Sequence, residues 1–352
     1  MIRVALVGAC GVASAYRQGY ARIPNVQWKV AVDVDGEKVK KCLAEGCQRV
    51  STKFEDALAD DVDVVDVWTP NHLHEEQAVR ALEAGKHVLL QKPITNTLAG
   101  ADRIVATARR MNKTAGMYMT LYNNPLLWEL KEMIQQGLFG EIQNTRARNA
   151  YPFQRHNTLG PENWRSDQAK VGGGCFIQLS IHSINLLQWL VGRRVTEVMG
   201  YAANQYSQGM VGGEDVAIAC VKYGNDNKSP MGIFDASYAA DDVSLEIYGT
   251  RGFFKLERNG EITLSLGKNP YQADKPFSFP MMNNMASGEP VRFRRAEPHD
   301  SDVSRPCNQH RMFFTAIQEG RPPHVTAEDG RHDLAVCMAV YESSRIGRAV
   351  RV

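Results

Sequence analysis

The sequence predicts an α/β fold, in which a doubly wound parallel sheet is followed by an α+β domain with a large, mostly antiparallel open sheet. Two observations lead to this class. Over roughly the first 120 residues, short apolar strands alternate with amphipathic helices. After Pro125 strands dominate, and one long apolar helix lies among them. We expect a first domain at residues 1–122 and a second at residues 123–352.

Short buried runs separated by helical periodicity define the first domain. A run such as Val64-Val65-Asp66-Val67-Trp68 is typical of a parallel strand that helices cover on both faces. The predicted strands are residues 2–7, 28–33, 62–68, 86–91 and 114–119.

The second domain begins with a predicted helix at residues 126–137, which Gly137 ends. A long helix at 174–190 and a terminal helix at 327–345 are also predicted. Residues 268–308 lack periodicity, and we expect either an ordered loop over the site or at a subunit contact, or a mobile insertion. The predicted strands are residues 142–150, 196–203, 217–223, 232–238, 244–248, 252–257 and 262–266.

The composition argues against several classes of protein. A formal net charge of +2 gives no support for a nucleic-acid partner. We expect no membrane span, because no apolar run looks long enough, and no signal peptide, because the chain enters a strand at Ile2. The seven cysteines lack the spacing of a disulfide framework, so we expect reduced thiols in a cytoplasmic protein.

A nucleotide-binding turn is predicted after the first strand. Small residues at this turn let a pyrophosphate approach backbone N–H groups at the start of a helix. The pattern is degraded, since Cys10 and Ala13 replace two glycines, and an ordinary βα turn is the alternative. The predicted contacts are Gly8, Cys10, Gly11, Val12 and Ala13.

Asp33, at the end of the next strand, strengthens the case for a dinucleotide. Its offset from Gly8 is close to that of an acid which binds the adenosine ribose. Together with Asp35 it would repel a 2′-phosphate, which favours NAD over NADP. Asp33 could instead cap a helix at residues 36–45, although Asp35 fits that role better.

A second group of candidate cofactor contacts follows the strand at 62–68. Thr69, Pro70, Asn71 and His74 stand at the same edge of the sheet, and Asn71 and His74 are suited to ribose or amide groups. Asn71 could also cap the helix that follows. We predict no metal site, because His72 and His74 point to different sides of a helix.

Lys92 is the first candidate catalytic residue. It follows a buried strand and precedes Pro93, at the sheet edge where ligands bind, next to Gln91 as a further cofactor contact. An ammonium there can stabilise the alkoxide that forms as a hydride leaves. The alternative is a surface lysine that reaches solvent.

His182 is the second candidate. Three glycines at 172–174 permit close approach to a ligand and expose N–H groups at the start of its helix. Gln178, four residues earlier, shares its helix face. A histidine on an apolar helix is more often a core residue, but this setting favours a catalytic base.

Taken together, these segments resemble the Gfo/Idh/MocA family of sugar and inositol oxidoreductases. Any single segment is weak evidence for the family, whereas the whole set in this order is specific to it. The motifs are the nucleotide loop, Thr69-Pro70-Asn71…His74, Gly85-Lys86-His87-Val88…Lys92-Pro93, Trp164-Arg165…Gly172-Gly173-Gly174…His182, Glu246-Ile247-Tyr248-Gly249-Thr250-Arg251-Gly252 and Glu342-Ser343-Ser344…Gly347.

The resemblance implies a Rossmann-type first domain that binds NAD or NADP, catalytic roles for Lys92 and His182, and a cis bond before Pro93. It also implies dimers or tetramers that form through the sheet. Two positions depart from the family: Gln91 and Gln178 are amides where relatives carry acids. Less counter-charge should disfavour protonated His182 and lower the proton affinity of Lys92.

The expected activity is therefore an NAD-dependent dehydrogenase that oxidises a secondary hydroxyl of a sugar, glycoside or cyclitol. One alternative is an NAD-dependent glycosidase or lyase that oxidises its sugar only transiently. A second alternative is a non-catalytic NAD- or sugar-binding protein. The candidate substrate contacts are Tyr122, Trp164, Arg165, His156, Gln178 and His310.

Overall fold

A computed structural model of the protein describes residues 1–17, 19–152, 160, 163–239, 241–266, 290–294 and 305–352. The chain forms two compact units, each built from three segments. The first unit contains Met1–Asn124, Asp167–Gly173 and Pro298–Ala335, and the second contains Pro125–Ser166, Gly174–Glu297 and Val336–Val352. The boundary predicted near residue 122 lies close to the first crossing, but two later segments return to the first unit.

The α-helices vary in length from single turns to the 20-residue helix near the end of the chain. In chain order they are α1 (Gly36–Val39), α2 (Lys41–Ala44), α3 (Asn71–Glu83), α4 (Leu98–Arg110), α5 (Pro125–Gln135), α6 (Gln168–Val171), α7 (Ile181–Val191), α8 (Gln309–Gln318) and α9 (Ala327–Ile346). A π-helical turn, Phe176–Ser180, leads directly into α7.

The sheet of the first unit has six parallel strands in the order β3-β2-β1-β4-β5-β6. The strands are β1 (Ile2–Val7), β2 (Val26–Val32), β3 (Arg49–Ser51), β4 (Val64–Val67), β5 (His87–Gln91) and β6 (Ala115–Tyr118). The order reverses between β1 and β4, which is the point where doubly wound sheets bind their ligands. All five predicted strands are present, and β3 was missed because it is only three half-buried residues long.

The connection from β1 to β2 differs from the prediction. In place of an α-helix after the nucleotide loop, it contains two 3₁₀ helices, Val12–Ala15 and Tyr20–Arg22. Between them Gly19 adopts a φ of 77°, in the left-handed region. Gly19 directly precedes the second 3₁₀ helix, and its left-handed conformation interrupts right-handed helical backbone between the two turns.

The second unit contains a nine-stranded sheet in the order β14-β13-β12-β11-β7-β10-β9-β8-β15. Its strands are β7 (Ile142–Ala150), β8 (Val195–Ala203), β9 (Val216–Tyr223), β10 (Met231–Ser237), β11 (Asp242–Gly249), β12 (Phe253–Glu257), β13 (Glu261–Ser265), β14 (Val291–Arg294) and β15 (Val350–Arg351). Among the described strands of this sheet only β7 and β10 pair in parallel, so the predicted, mostly antiparallel sheet is confirmed.

Most of the irregular segment predicted at 268–308 lies outside the described residues. Within it, Val291–Arg294 forms β14 against β13, so the absence of regular structure is wrong for these four residues. Their burial alternates between half-buried and exposed, as expected of a short strand at the sheet edge.

The length of one apolar segment was underestimated in the sequence. Gln168–Val191 is long and apolar enough to cross a membrane by composition, but 83% of its most apolar window is buried within the protein. Buried core helices have this property, because every face of such a helix packs against protein.

Candidate active site

The nucleotide loop is shaped by Gly8, whose φ of 81° lies in the left-handed region. A Cβ at Gly8 would lie 2.7 Å from the backbone carbon of Trp68, so only glycine fits there. Gly11, by contrast, is exposed, and a Cβ there would meet nothing within 4 Å. Val12 is exposed beside it, while Ala13 is buried. The tip of the turn therefore has room for a diphosphate.

Asp33 follows β2 and faces this loop. Its carboxylate accepts hydrogen bonds from Cys10 N (2.7 Å) and Asp35 N (3.1 Å). Asp35 caps α1 by accepting from Lys38 N, so the cap predicted for Asp35 is confirmed. Burial and the nearby Asp33 charge raise the pKa of the Cys10 thiol to about 11. The donor and acceptor set around the loop fits the adenosine ribose of a dinucleotide.

Arg17 supports the loop from inside, a role that the sequence did not reveal. Its guanidinium is 5% exposed, donates to the carbonyl of Ala9 and pairs with Glu45 at 2.8 Å (Nε to Oε2). A buried guanidinium requires such partners, and its hydrogen bond holds the carbonyl of Ala9 within the nucleotide loop. The sequence pattern did not indicate this role, because Glu45 is far from Arg17 along the chain.

The segment after β4 is fixed by side-chain hydrogen bonds. Thr69 Oγ1 donates to Gln77 Oε1 (2.6 Å), and Asn71 Nδ2 donates to the Val171 carbonyl (2.9 Å). The residue that caps α3 is Pro70, with no side-chain cap, so the alternative of an Asn71 cap is wrong.

His74 is fully buried on α3. Its Nδ1 lies 2.9 Å from the Pro93 carbonyl and its Nε2 lies 2.8 Å from the Thr69 carbonyl. Burial lowers the pKa of His74, although the two carbonyls act in the opposite direction. Because both nitrogens face backbone carbonyls, this geometry argues against the predicted cofactor contact and makes His74 a link between the two loops.

The end of β5 is a compact turn. Gln91 Oε1 accepts a hydrogen bond from Lys92 N (2.7 Å), and the Lys92–Pro93 peptide bond is cis, which confirms the expectation from the family resemblance. Gln91 is buried and Lys92 is half-buried. Lys92 thus stands at the carboxyl edge of the sheet, beside the strand whose end carries residues 69–74.

Two predicted substrate contacts lie in the interior of the first unit. Tyr122 is 1% exposed, with its ring 4.6 Å from that of His324. His310, on α8, is also 1% exposed, and its Nε2 lies 2.9 Å from Asp66 Oδ2 in β4. These positions argue against substrate contact, since both side chains are used in packing α8 and its neighbours. His156 lies outside the described residues.

The same buried carboxylate of Asp66 holds two aromatic side chains. Tyr20 Oη donates to it at 3.3 Å and Trp68 Nε1 donates at 2.8 Å. Tyr118 packs against Trp68 with ring centroids 4.7 Å apart. The acid inside a predicted apolar strand thus has one partner close in the chain, Trp68, and two from distant segments, Tyr20 and His310, which a residue pattern cannot reveal.

Trp164 and Arg165 form part of a short 3₁₀ helix in the second unit. The Arg165 guanidinium lies 4.4 Å from the centre of the Trp164 ring, in cation–π contact. Burial lowers the pKa of Arg165. Both side chains are half-buried, so the pair combines an aromatic face with a cation, a combination that suits a polyhydroxylated ligand.

Two glycines of the run at 172–174 lie against protein backbone, and the approach of a ligand to this run stays a prediction. A Cβ at Gly172, whose φ is 93°, would lie 2.5 Å from the carbonyl oxygen of Asn96 within the first unit. A Cβ at Gly174 would lie 2.0 Å from the carbonyl oxygen of Glu214 within the second. Both glycines are therefore explained by close packing against protein backbone, and both contacts were invisible in the sequence.

The helix that carries His182 begins with the π-turn Phe176–Ser180. Such turns are rare and recur at functional sites. Gln178 is buried within it, and His182 is half-buried in the first turn of α7. The N–H groups of Cys175 and Phe176 both donate to Glu214, so the predicted exposure of N–H groups at this helix start is wrong for these two residues.

No group of three metal-ligating side chains was found among the described residues. The two candidate catalytic side chains belong to different units: Lys92 to the first and His182 to the second.

Known proteins share this organisation. The chain is 25% identical over 355 residues to 1,5-anhydro-D-fructose reductase of Ensifer adhaerens, covering 100% of this chain and 99% of the relative. It is 21% identical to myo-inositol 2-dehydrogenase of Thermotoga maritima, covering 100% and 98%. A solved levoglucosan dehydrogenase in complex with NADH and L-sorbose has the same fold, with a TM-score of 0.84, 22% identity and coverage of 100% and 99%.

Two models of one family cover most of the chain. Residues 2–119 match the NAD-binding Rossmann fold of the GFO_IDH_MocA oxidoreductase family, and residues 131–352 match the C-terminal alpha/beta domain of that family. The sheet order, the turn at Gly8 and Asp33 after β2 agree with an NAD-binding first unit. The chain therefore belongs to the Gfo/Idh/MocA oxidoreductase family.

Proposed function

We propose that the protein is an NAD-dependent dehydrogenase that oxidises a secondary hydroxyl of a sugar, glycoside or cyclitol. The observation that carries this proposal is the place of Lys92, which follows β5 at the carboxyl edge of the dinucleotide-binding sheet with its backbone held by Gln91 and by a cis bond to Pro93. Relatives that act on an anhydro sugar and on an inositol support this substrate class.

The chemistry divides between two side chains. NAD, when bound, supplies the acceptor for the hydride. Lys92 donates a hydrogen bond to the reacting oxygen and stabilises the negative charge that develops on it. His182 accepts the hydroxyl proton as general base. The hydroxyl carbon loses a hydride and the oxygen loses a proton, so the product is a ketone, NADH and one proton.

The choice of NAD over NADP rests on Asp33 and Asp35. The Asp33 carboxylate accepts a hydrogen bond from Cys10 N in the nucleotide loop, and Asp35 N donates to the same carboxylate, so a 2′-phosphate at this position would meet like charge. Gly8, Cys10, Gly11, Val12, Ala13, Thr69, Pro70, Asn71, Gln91 and Lys92 complete the proposed cofactor contacts.

For the substrate we propose contacts from Trp164, Arg165 and Gln178, with His156 as a further candidate. Gln91 and Gln178 place neutral amides beside the two catalytic groups. A neutral neighbour keeps the imidazole of His182 unprotonated to lower pH than a carboxylate would.

We propose homodimers or homotetramers formed through the second unit's sheet. One face of β8, β9 and β10 exposes apolar side chains, namely Met199, Tyr201, Ile218, Met231 and Ile233. A contiguous apolar patch of this kind marks an interface. Sedimentation of the wild type and of Ile218→Lys tests this, and a monomeric wild type contradicts it. We also propose a cytoplasmic location, since none of the seven cysteines, all of which lie in the described part of the chain, forms a disulfide.

The test of function is NADH formation on a panel of sugars and inositols. Lys92→Ala should abolish turnover while NAD binding, measured by titration, stays nearly unchanged; the exposed Lys228→Ala is the matched control. Near-normal turnover by Lys92→Ala contradicts the proposed roles. Product release without NADH accumulation instead identifies the transient-oxidation chemistry of a glycosidase or lyase.

A further inference from the structure

A buried acid lies at the start of the helix that carries His182. Glu214 is 7% exposed, and its Oε1 accepts a hydrogen bond from Phe176 N at 2.8 Å. The carbonyl oxygen of the same residue accepts from Cys175 N at 2.9 Å. One residue from a distant loop therefore satisfies two successive N–H groups at the helix start, where four would otherwise lack partners.

Tyr341 extends this arrangement to a third N–H group. Its hydroxyl accepts from Ile177 N at 3.2 Å and donates to Glu214 Oε1 at 3.0 Å. Tyr341 belongs to α9, so two segments that are far apart in the sequence, the loop with Glu214 and α9, both hold the helix start. We call Glu214 and Tyr341 the helix clamp.

The backbone at the clamp is closely packed. A Cβ at Gly174 would lie 2.0 Å from Glu214 O and 2.5 Å from Glu214 N, so the two backbones are already in contact. The hydrogen bonds enter the π-turn at Phe176 and Ile177, one or two residues before Gln178. A shift in the clamp is thus transmitted to the turn that sets the directions of Gln178 and His182.

We propose that Glu214 and Tyr341 are positioning residues for the proposed dehydrogenase, and that their hydrogen bonds to the first turn hold Gln178 and His182 in the orientation required for proton transfer. This inference rests on the proposed function for its kinetic arm only. Neither residue reaches the substrate in this role; each acts through the helix.

The charge environment agrees with a tightly held group. Burial raises the pKa of Glu214 to about 7, even though Phe176 N and Tyr341 act to lower it. Burial also raises the pKa of Tyr341 well above its ordinary value. Among the described residues, the other titratable or charged groups that act on Glu214 or on its neighbours include Cys175, Asp215, Asp235, Tyr238, Cys337 and Arg165.

The test compares Tyr341→Phe and Glu214→Gln with wild type in the full-length protein. Hydrogen exchange is measured by mass spectrometry on peptides covering residues 174–182. For Tyr341→Phe, which removes one hydroxyl, we expect exchange there to be about tenfold faster, as for the loss of one buried hydrogen bond. Unchanged exchange in this variant overturns the clamp, whether or not the wild type turns over any sugar.

The kinetic arm uses a substrate that the wild type oxidises. We expect kcat of Tyr341→Phe to fall about tenfold with KM nearly unchanged, because misorientation of a general base affects the reaction more than binding. Glu214→Gln keeps the acceptor oxygen and should retain more of kcat. Faster exchange with unchanged kcat overturns the positioning role.

Asp215→Asn is the matched control. Asp215 is also buried and accepts from backbone N–H groups, but those of Gln205, Tyr206 and Ser207. Its replacement should accelerate exchange at 205–207, leave residues 174–182 protected and leave kcat unchanged. An equal loss of kcat in this control assigns the clamp effect to general destabilisation and overturns the proposal.

Discussion

Replacing Glu214 with glutamine should change how the stability of the protein depends on pH. Burial raises the pKa of this carboxyl from 4.5 to about 7 in the folded protein. A raised acid pKa means that the folded state keeps the proton after the unfolded state has lost it. The stabilising contribution is therefore complete below pH 4.5 and is lost as the pH rises to about 7.

The size of the effect follows from the shift. A difference of roughly two to three pKa units, at 1.36 kcal/mol each, corresponds to about 3 kcal/mol of unfolding free energy. Glutamine carries no titrating proton and keeps the acceptor for Phe176 N. The unfolding free energy of Glu214→Gln minus that of the wild type should therefore be about 3 kcal/mol higher at about pH 8 than at about pH 5.

Urea unfolding followed by tryptophan fluorescence measures this difference. Each variant is unfolded at about pH 5 and at about pH 8, and the wild-type unfolding free energy at the same pH is subtracted. The contributions of histidine titration, which variant and wild type share, then cancel. Asp215→Asn should show no comparable relative gain, because three backbone N–H groups outweigh burial and lower the pKa of Asp215. A Glu214→Gln difference that is equal at both pH values would refute the reasoning.

Three further predictions concern single positions. Gly174→Ala should destabilise the second unit by about 3 kcal/mol or more, because the added Cβ would overlap the Glu214 backbone. At Gly11 the added Cβ meets open space, so Gly11→Ala should leave stability nearly unchanged, and thermal unfolding of both variants tests the difference. Asp33→Ser should narrow the preference for NAD over NADP by at least about tenfold in Kd, as measured by titration of both dinucleotides, and an unchanged ratio contradicts the assignment. Gln178→Asp should raise the pKa of His182, so the acid limb of the kcat/KM profile should move to higher pH; a limb that stays in place shows that the two side chains do not interact.

The sequence predicted features that depend on local rules. Apolar runs located five of the six strands of the first sheet, and the Asp35 cap followed from the cap preference of aspartate. The two-domain class followed from a change in element order at Pro125. Each of these features depends on residues that are close in the chain.

The failures share a different cause. Two short 3₁₀ helices, with Gly19 in the left-handed conformation between them, replace the α-helix expected after Gly8, and the residue pattern did not specify this. His310 is buried because α8 returns to pair it with Asp66, and Glu214 meets Phe176 from a distant loop. Contacts between remote segments have no period in the sequence, so neither the burial of a polar residue nor the partner of a glycine could be derived.

The division of the chain has a consequence for protein engineering. The polypeptide passes between the two units five times, and one crossing falls inside the single helix α9. A gene fragment encoding residues 1–124 would thus supply Asp66, Tyr20 and Trp68 without His310. A chimera that exchanges the cofactor-binding unit between relatives must graft three segments together, because a single splice near residue 124 would leave a buried carboxylate short of one partner.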